Sequence, residues 1–145
     1  ELLVLEESTA FLRDESGDLE GSLGALALAL VPAVAVHEAR HLADAATFGS
    51  ALAVECEECW TAPEHVRAEV SAYLASFAHE SGSLAFYQAC SAKERGSGAH
   101  GSAMEKILTV IDADCEGIPE NLAERARSAE EQLFGRASDS IVNRP

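Results

Sequence analysis

Apolar positions recur along this chain mostly at helical spacing, and Ala and Leu supply many of them. Residues 1–14 interleave Leu2, Leu3, Leu5, Phe11 and Leu12 with acids, which predicts an amphipathic helix. Asp14-Glu15-Ser16-Gly17-Asp18 reads as a turn. Leu19 to Leu30 predicts a second helix carrying Gly21 and Gly24, although the alternation in Leu26-Ala27-Leu28-Ala29-Leu30 also suits a strand. Pro32 then either opens the next helix in its first turn or kinks one long helix. No Gly or Pro intervenes from Ala33 to Phe48, so that helix should reach about Thr47, with Gly49 as its stop.

Residues 50–60 form a less regular connector holding Cys56, Cys59 and the single tryptophan, Trp60. Thr61-Ala62-Pro63-Glu64 matches a capping box and predicts a helix running to His79. Ser81-Gly82-Ser83 breaks the chain before a short helix from Leu84 to Ala92. Lys93 to Gly101 reads as a polar loop, Met104 to Ile111 as a helix, Asp112 to Gly117 as a turn, and Pro119 to Phe134 as a final amphipathic helix. The expected fold is therefore mainly α. Residues 1–135 make a compact helical bundle in one domain, and 136–145 a loose C-terminal tail. Composition points the same way, since the chain is 48% hydrophobic but only 6% aromatic.

Charge narrows the partners. A formal −15 gives nothing with which to neutralise a row of phosphates, so nucleic acid is excluded as a partner. Adsorption to anionic lipid is disfavoured for the same reason. The apolar run Leu23 to Val36 has 14 residues and carries Gly24 and Pro32, too short and interrupted to span a bilayer, so no membrane insertion is expected. Opening on Glu1-Leu2-Leu3 rather than Met, the chain reads as a processed form or a domain of something longer.

Four cysteines, Cys56, Cys59, Cys90 and Cys115, allow two bridges in three connectivities. Cys56-x-x-Cys59 could be a redox pair, half of a metal site with His65, or a local bridge. It has neither a βαβ setting nor a second Cys-x-x-Cys, so structural cysteines are the preferred reading.

The chemistry concentrates in His37-Glu38-Ala39-Arg40-His41. On a helix His37 and His41 lie one above the other, so both imidazoles can reach one ion. Glu38 sits about 100° further round, next to the ion without being bound to it, where a general base for an activated water belongs. The bland alternative is a pair of core-edge histidines satisfied by ordinary hydrogen bonds.

Two histidines need a third protein ligand. Glu69 offers one: Glu69, Ala72 and Tyr73 share a helical face, and the small residue lets two helices approach closely. Tyr73 could then donate its hydroxyl to a developing oxyanion. Asp44, one turn beyond His41, is a rival ligand, and His65, His79 and His100 are further candidates.

With His37, Glu38, His41 and Glu69 together, the stretch from Pro32 to Phe77 resembles the gluzincin branch of the zincin metallopeptidases. The resemblance implies Zn²⁺ held by His37, His41 and Glu69, with Glu38 as general base and a peptide or protein substrate. It also implies Asp44 as a support that fixes a histidine tautomer. Zincins place a sheet before the active helix, whereas the 36 residues before His37 look mostly helical. The leading expectation is a zinc-dependent hydrolase, with metallopeptidase chemistry as its most specific form. The alternative is a catalytically inactive, metallopeptidase-like interaction module of a larger protein. A di-iron bundle ranks last, because Glu38-Ala39-Arg40-His41 lacks the second Glu-x-x-His that chemistry needs.

Overall fold

Pro32 lies inside a continuous helix rather than at the start of one. In this computed structural model, which describes residues 19–48, 64–96 and 98–136, that helix is α1, Leu19–Phe48. It is followed by α2 (Glu64–Phe77), α3 (Gly82–Glu94), α4 (Gly98–Ile111) and α5 (Leu122–Phe134). The described residues contain no strand, and the fold is a mainly α bundle. The strand option for Leu26 to Leu30 is thereby removed. Proline lacks an N–H, so the carbonyl of Leu28 loses its helical donor. Both residues are exposed, Leu28 at 75%, and solvent can serve that carbonyl. The expected amphipathic helix over 1–14, the Cys56/Cys59 pair, the Thr61-to-Pro63 half of the capping box and residues 137–145 lie outside the described residues.

Helix α2 is the hub and packs on each of the other four helices. Its sequence explains why: Val66, Val70, Ala72, Leu74, Ala75 and Phe77 are buried, as are Ser71 and Ser76, so its second half has no solvent face. Around it, Phe86, Ala89, Met104, Ile107, Ala126 and Leu133 complete one apolar core. Two glycines allow close turns. A Cβ on Gly82 would lie 2.3 Å from the Phe77 carbonyl oxygen, so α3 can double back on α2 only with glycine there. Gly98, at φ +52°, opens α4.

That early start corrects the loop expected over Lys93 to Gly101. The turn is short, and Ala99, His100 and Gly101 already belong to α4. Gly101 is buried, with its Cβ direction 3.7 Å from the Ala92 carbonyl, so α3 and α4 meet where a side chain was expected to face solvent. A disulfide between Cys90 and Cys115 ties α3 to the turn after α4. Closing a loop with a sequence separation of 25 restricts the unfolded chain by about 3 kcal/mol.

The first half of α1 is less well covered. Because the helix continues through Pro32, Leu23–Thr47 is long and apolar enough to cross a membrane, with mean hydropathy 1.4, which corrects the view of this run as too short and interrupted. Its last turns hold His37, Glu38, Arg40, His41 and Asp44, and this half packs against α2. Ser76 Oγ donates to the Ala33 carbonyl at 3.3 Å, which shows how closely the two helices approach.

Candidate metal centre

The helical spacing of His37 and His41 places their imidazoles on one side of α1, with the two Nε2 atoms 3.1 Å apart. Opposite them, α2 presents Glu69. Its Oε2 lies 3.2 Å from His37 Nε2, and its Oε1 3.6 Å from His41 Nε2. A third imidazole enters from the first turn of α4, where His100 Nδ1 is 3.0 Å from Glu69 Oε2. His37, Glu69 and His100 each offer one ligand atom, all within 4.8 Å of one another. Three helices thus converge on one point.

One acceptor among these contacts is left unsatisfied. Glu69 Oε2 is buried and makes no hydrogen bond, although two ring nitrogens face it. Leaving a buried carboxylate oxygen in that condition costs about 1–3 kcal/mol or more. Bonds of about 2.0–2.1 Å to a tetrahedral ion set neighbouring donors about 3.3 Å apart. The neighbouring contacts of 3.0–3.6 Å lie near that spacing, and the ligand atoms of His37, Glu69 and His100 all lie within 4.8 Å of one another. A His-Glu-His group able to hold a metal ion is present.

Electrostatics agree. Burial raises the Glu69 pKa, but the facing imidazoles of His37 and His41 and the charges of His100 and His41 outweigh it, leaving the carboxyl well below its usual range. The contact with Glu69 raises His41, burial opposes that, and Glu38 and Asp44 add to the rise. Glu69 is thus a carboxylate at neutral pH, the form that binds a cation. Tyr73 moves the other way: burial first, then the charge of Glu69, pushes its hydroxyl up to about 12, so it remains a protonated donor. Its ring is held edge-on to His37, with centroids 4.7 Å apart, and is backed by Phe77, which in turn meets Phe86. The Tyr73 hydroxyl lies 3.1 Å from His100 Nδ1.

Beside this cluster opens a cleft of about 110 Å³. Ala33, Ser76 and Ala85 are buried residues along it, His37, Tyr73 and His100 border it on the metal side, and exposed Glu38 and Gln88 also line it. Glu38 makes no ligand-like approach to the cluster among the described contacts, yet it borders the same space as His37.

The other sequence candidates go elsewhere. Asp44 does not steady a histidine. Its Oδ2 accepts from Ser71 Oγ at 2.6 Å, while its Oδ1 faces Arg40 Nε at 3.1 Å and Arg136 Nη2 at 2.8 Å. Helix phase alone would keep Asp44 near the His37 azimuth, since it lies seven residues on; Arg40 one turn before it, Ser71 and Arg136 take its oxygens instead. Arg40 is fully buried and also pairs with Glu130 of α5. Arg136, assigned by the sequence to a loose tail, instead donates to Asp44 and Ser71. His65 is exposed at the start of α2, and His79 contacts Ser81 at 2.8 Å in the turn before α3. His100 was one candidate among several. Its polar, glycine-bearing surroundings gave no local sign that it would join the cluster.

The arrangement is a helical His-Glu-His group able to hold a metal ion, with the His41 imidazole beside His37 and the Tyr73 phenol beside His100. No protein family, curated protein or solved structure matches this chain.

Proposed function

We propose that this protein is a zinc-dependent hydrolase, with a peptide or related amide as substrate and Glu38 as general base. One observation carries the reading: nitrogen and carboxylate donors from α1, α2 and α4 lie within 4.8 Å of one another, beside a cleft that Glu38 also lines. Bound there, zinc would polarise a carbonyl and bring the acidity of a coordinated water near neutrality. Glu38, exposed at the cleft, would take a proton from the attacking water and return it to the departing amine. Tyr73, kept protonated, donates its hydroxyl to the oxygen that gains charge. Zincins hold their peptides on an edge strand. No strand exists among the described residues, so the cleft beside Ala33 and Ala85 takes over the positioning role here. The charge of −15 leaves nucleic acid outside this reading.

Zinc analysis and a Glu38→Gln variant test the proposal together. The wild-type protein should carry one zinc per chain and hydrolyse a fluorogenic peptide mixture. Glu38→Gln should keep the zinc and lose turnover by at least about 100-fold. Zinc lost together with activity would make Glu38 a ligand instead of a base.

A second reading, a metal-stabilised interaction module without turnover, is favoured by His100. Four protein donors around one zinc are the mark of closed structural sites. Under that reading zinc raises thermal stability while hydrolysis is absent from both wild type and Glu38→Gln.

A further inference from the structure

We propose that His100 is an exchangeable fourth donor, which closes the metal centre at rest and must leave before substrate or water can take its place. The inference rests on the metal reading above and names how that site is regulated.

Three observations carry it. First, the donors differ in how firmly they are held. His37, His41 and Glu69 sit where α1 packs on α2, with side chains 12%, 27% and 16% exposed, whereas the His100 side chain is 47% exposed on a different helix. Second, His100 Nδ1 has two competing partners. It lies 3.0 Å from Glu69 Oε2 and 3.1 Å from the Tyr73 hydroxyl. A single lone pair on Nδ1 cannot bind a cation and accept from Tyr73 at once. The phenol therefore supplies an alternative partner for the imidazole when it gives up the ion. Third, His100 borders the same cleft as Glu38, so its displacement opens the centre toward the side where the proposed base stands. A zinc site with three protein ligands keeps a position for water, and one with four does not. His100 is the side chain that decides between the two.

The test compares wild type with His100→Ala and His100→Gln, each loaded with Co²⁺, a spectroscopic substitute for zinc. Visible absorption would be followed while azide is added as a small competing ligand. All three proteins should bind one Co²⁺ per chain, the variants between about 10- and 100-fold more weakly. Azide should shift the spectra of both variants and leave that of the wild type unchanged at the same concentration. Peptide hydrolysis should rise in His100→Ala by about tenfold, a barrier change of about 1.4 kcal/mol. If the wild-type spectrum responds to azide as the variants do, or if the three spectra superimpose, His100 is not a donor and the inference falls while the metal reading stands. Failure of all three proteins to take up Co²⁺ overturns both. Lack of hydrolysis in variants that do respond to azide would leave His100 a donor but remove its gating role.

Discussion

Two polar clusters share the α1–α2 interface, and they are built on opposite principles. On one stripe of α1, Arg40 and Asp44 meet Ser71 of α2, Glu130 of α5 and Arg136 just beyond it. Two guanidinium groups face two carboxylates, so charge cancels, and Ser71 bridges Arg40, Asp44 and Arg136. On the next stripe, His37 and His41 meet Glu69 and His100. Here three imidazoles and one carboxylate converge, and a buried carboxylate oxygen is left without a hydrogen bond. In the first cluster guanidinium and carboxylate charges match within the protein, although Arg40 Nη1 is likewise buried without a hydrogen bond. The second includes a group able to hold a metal ion. What distinguishes the two is donor chemistry: a guanidinium has no lone pair to offer a cation, whereas an imidazole has one.

Breaking the clamp should have the largest effect. Arg40→Met removes the buried guanidinium that pairs with Glu130 and Asp44 and should cost about 3–5 kcal/mol. Urea unfolding in the presence of chelator would measure it, and a loss below about 1 kcal/mol would show that the clamp is dispensable. The variant's cost should be the same with and without zinc, because the clamp does not touch the ion.

The metal centre should behave in the converse way. At a free zinc concentration 100 times the dissociation constant, the wild type should gain about 2.7 kcal/mol of stability. The double variant His37→Ala, His41→Ala should lose that gain. Calorimetric unfolding with and without zinc checks both statements. A gain that survives in the double variant would place the metal elsewhere in the chain.

The smallest effect is a pH dependence that separates the loaded and metal-free forms. In metal-free protein Glu69 is lowered from its ordinary 4.5, so its contribution is complete above that value and is lost as pH falls toward the folded pKa. His41 is raised from 6.5, so its contribution is complete below 6.5 and is lost as pH rises through the folded pKa. Both act together between 4.5 and 6.5, where the metal-free protein should be most stable with respect to this pair. Zinc reverses the trend above that window, because protons compete with the ion for the imidazoles and affinity climbs with pH. Thermal unfolding across pH, repeated on Glu69→Gln, tests this. A metal-free profile unchanged by Glu69→Gln would remove Glu69 from the balance.

Much of the helical order was legible from local periodicity: the helix from Glu64, the break at Ser81, and the amphipathic helix ending at Phe134. Pro32 was the hard position, because its effect depends on whether the orphaned carbonyl faces solvent or core, and only packing settles that. The glycines near residue 98 misled for a related reason. Glycine marks both a loop and a tight junction, and the buried contact of Gly101 with α3 makes it the latter.

What the sequence alone determined about the site is the part carried by helix geometry. The i,i+4 spacing of His37 and His41, and of Glu69 and Tyr73, needs only a regular helix, and two such helices form. Which stripes face each other is a property of three-dimensional packing. It brought His100 into the cluster from a third helix, turned Asp44 toward Arg40 instead of a histidine, and buried Glu130 against Arg40 across the bundle. Those choices depend on how α2, at the centre, rotates each neighbour to bury its own apolar face. No short window of sequence contains that sum.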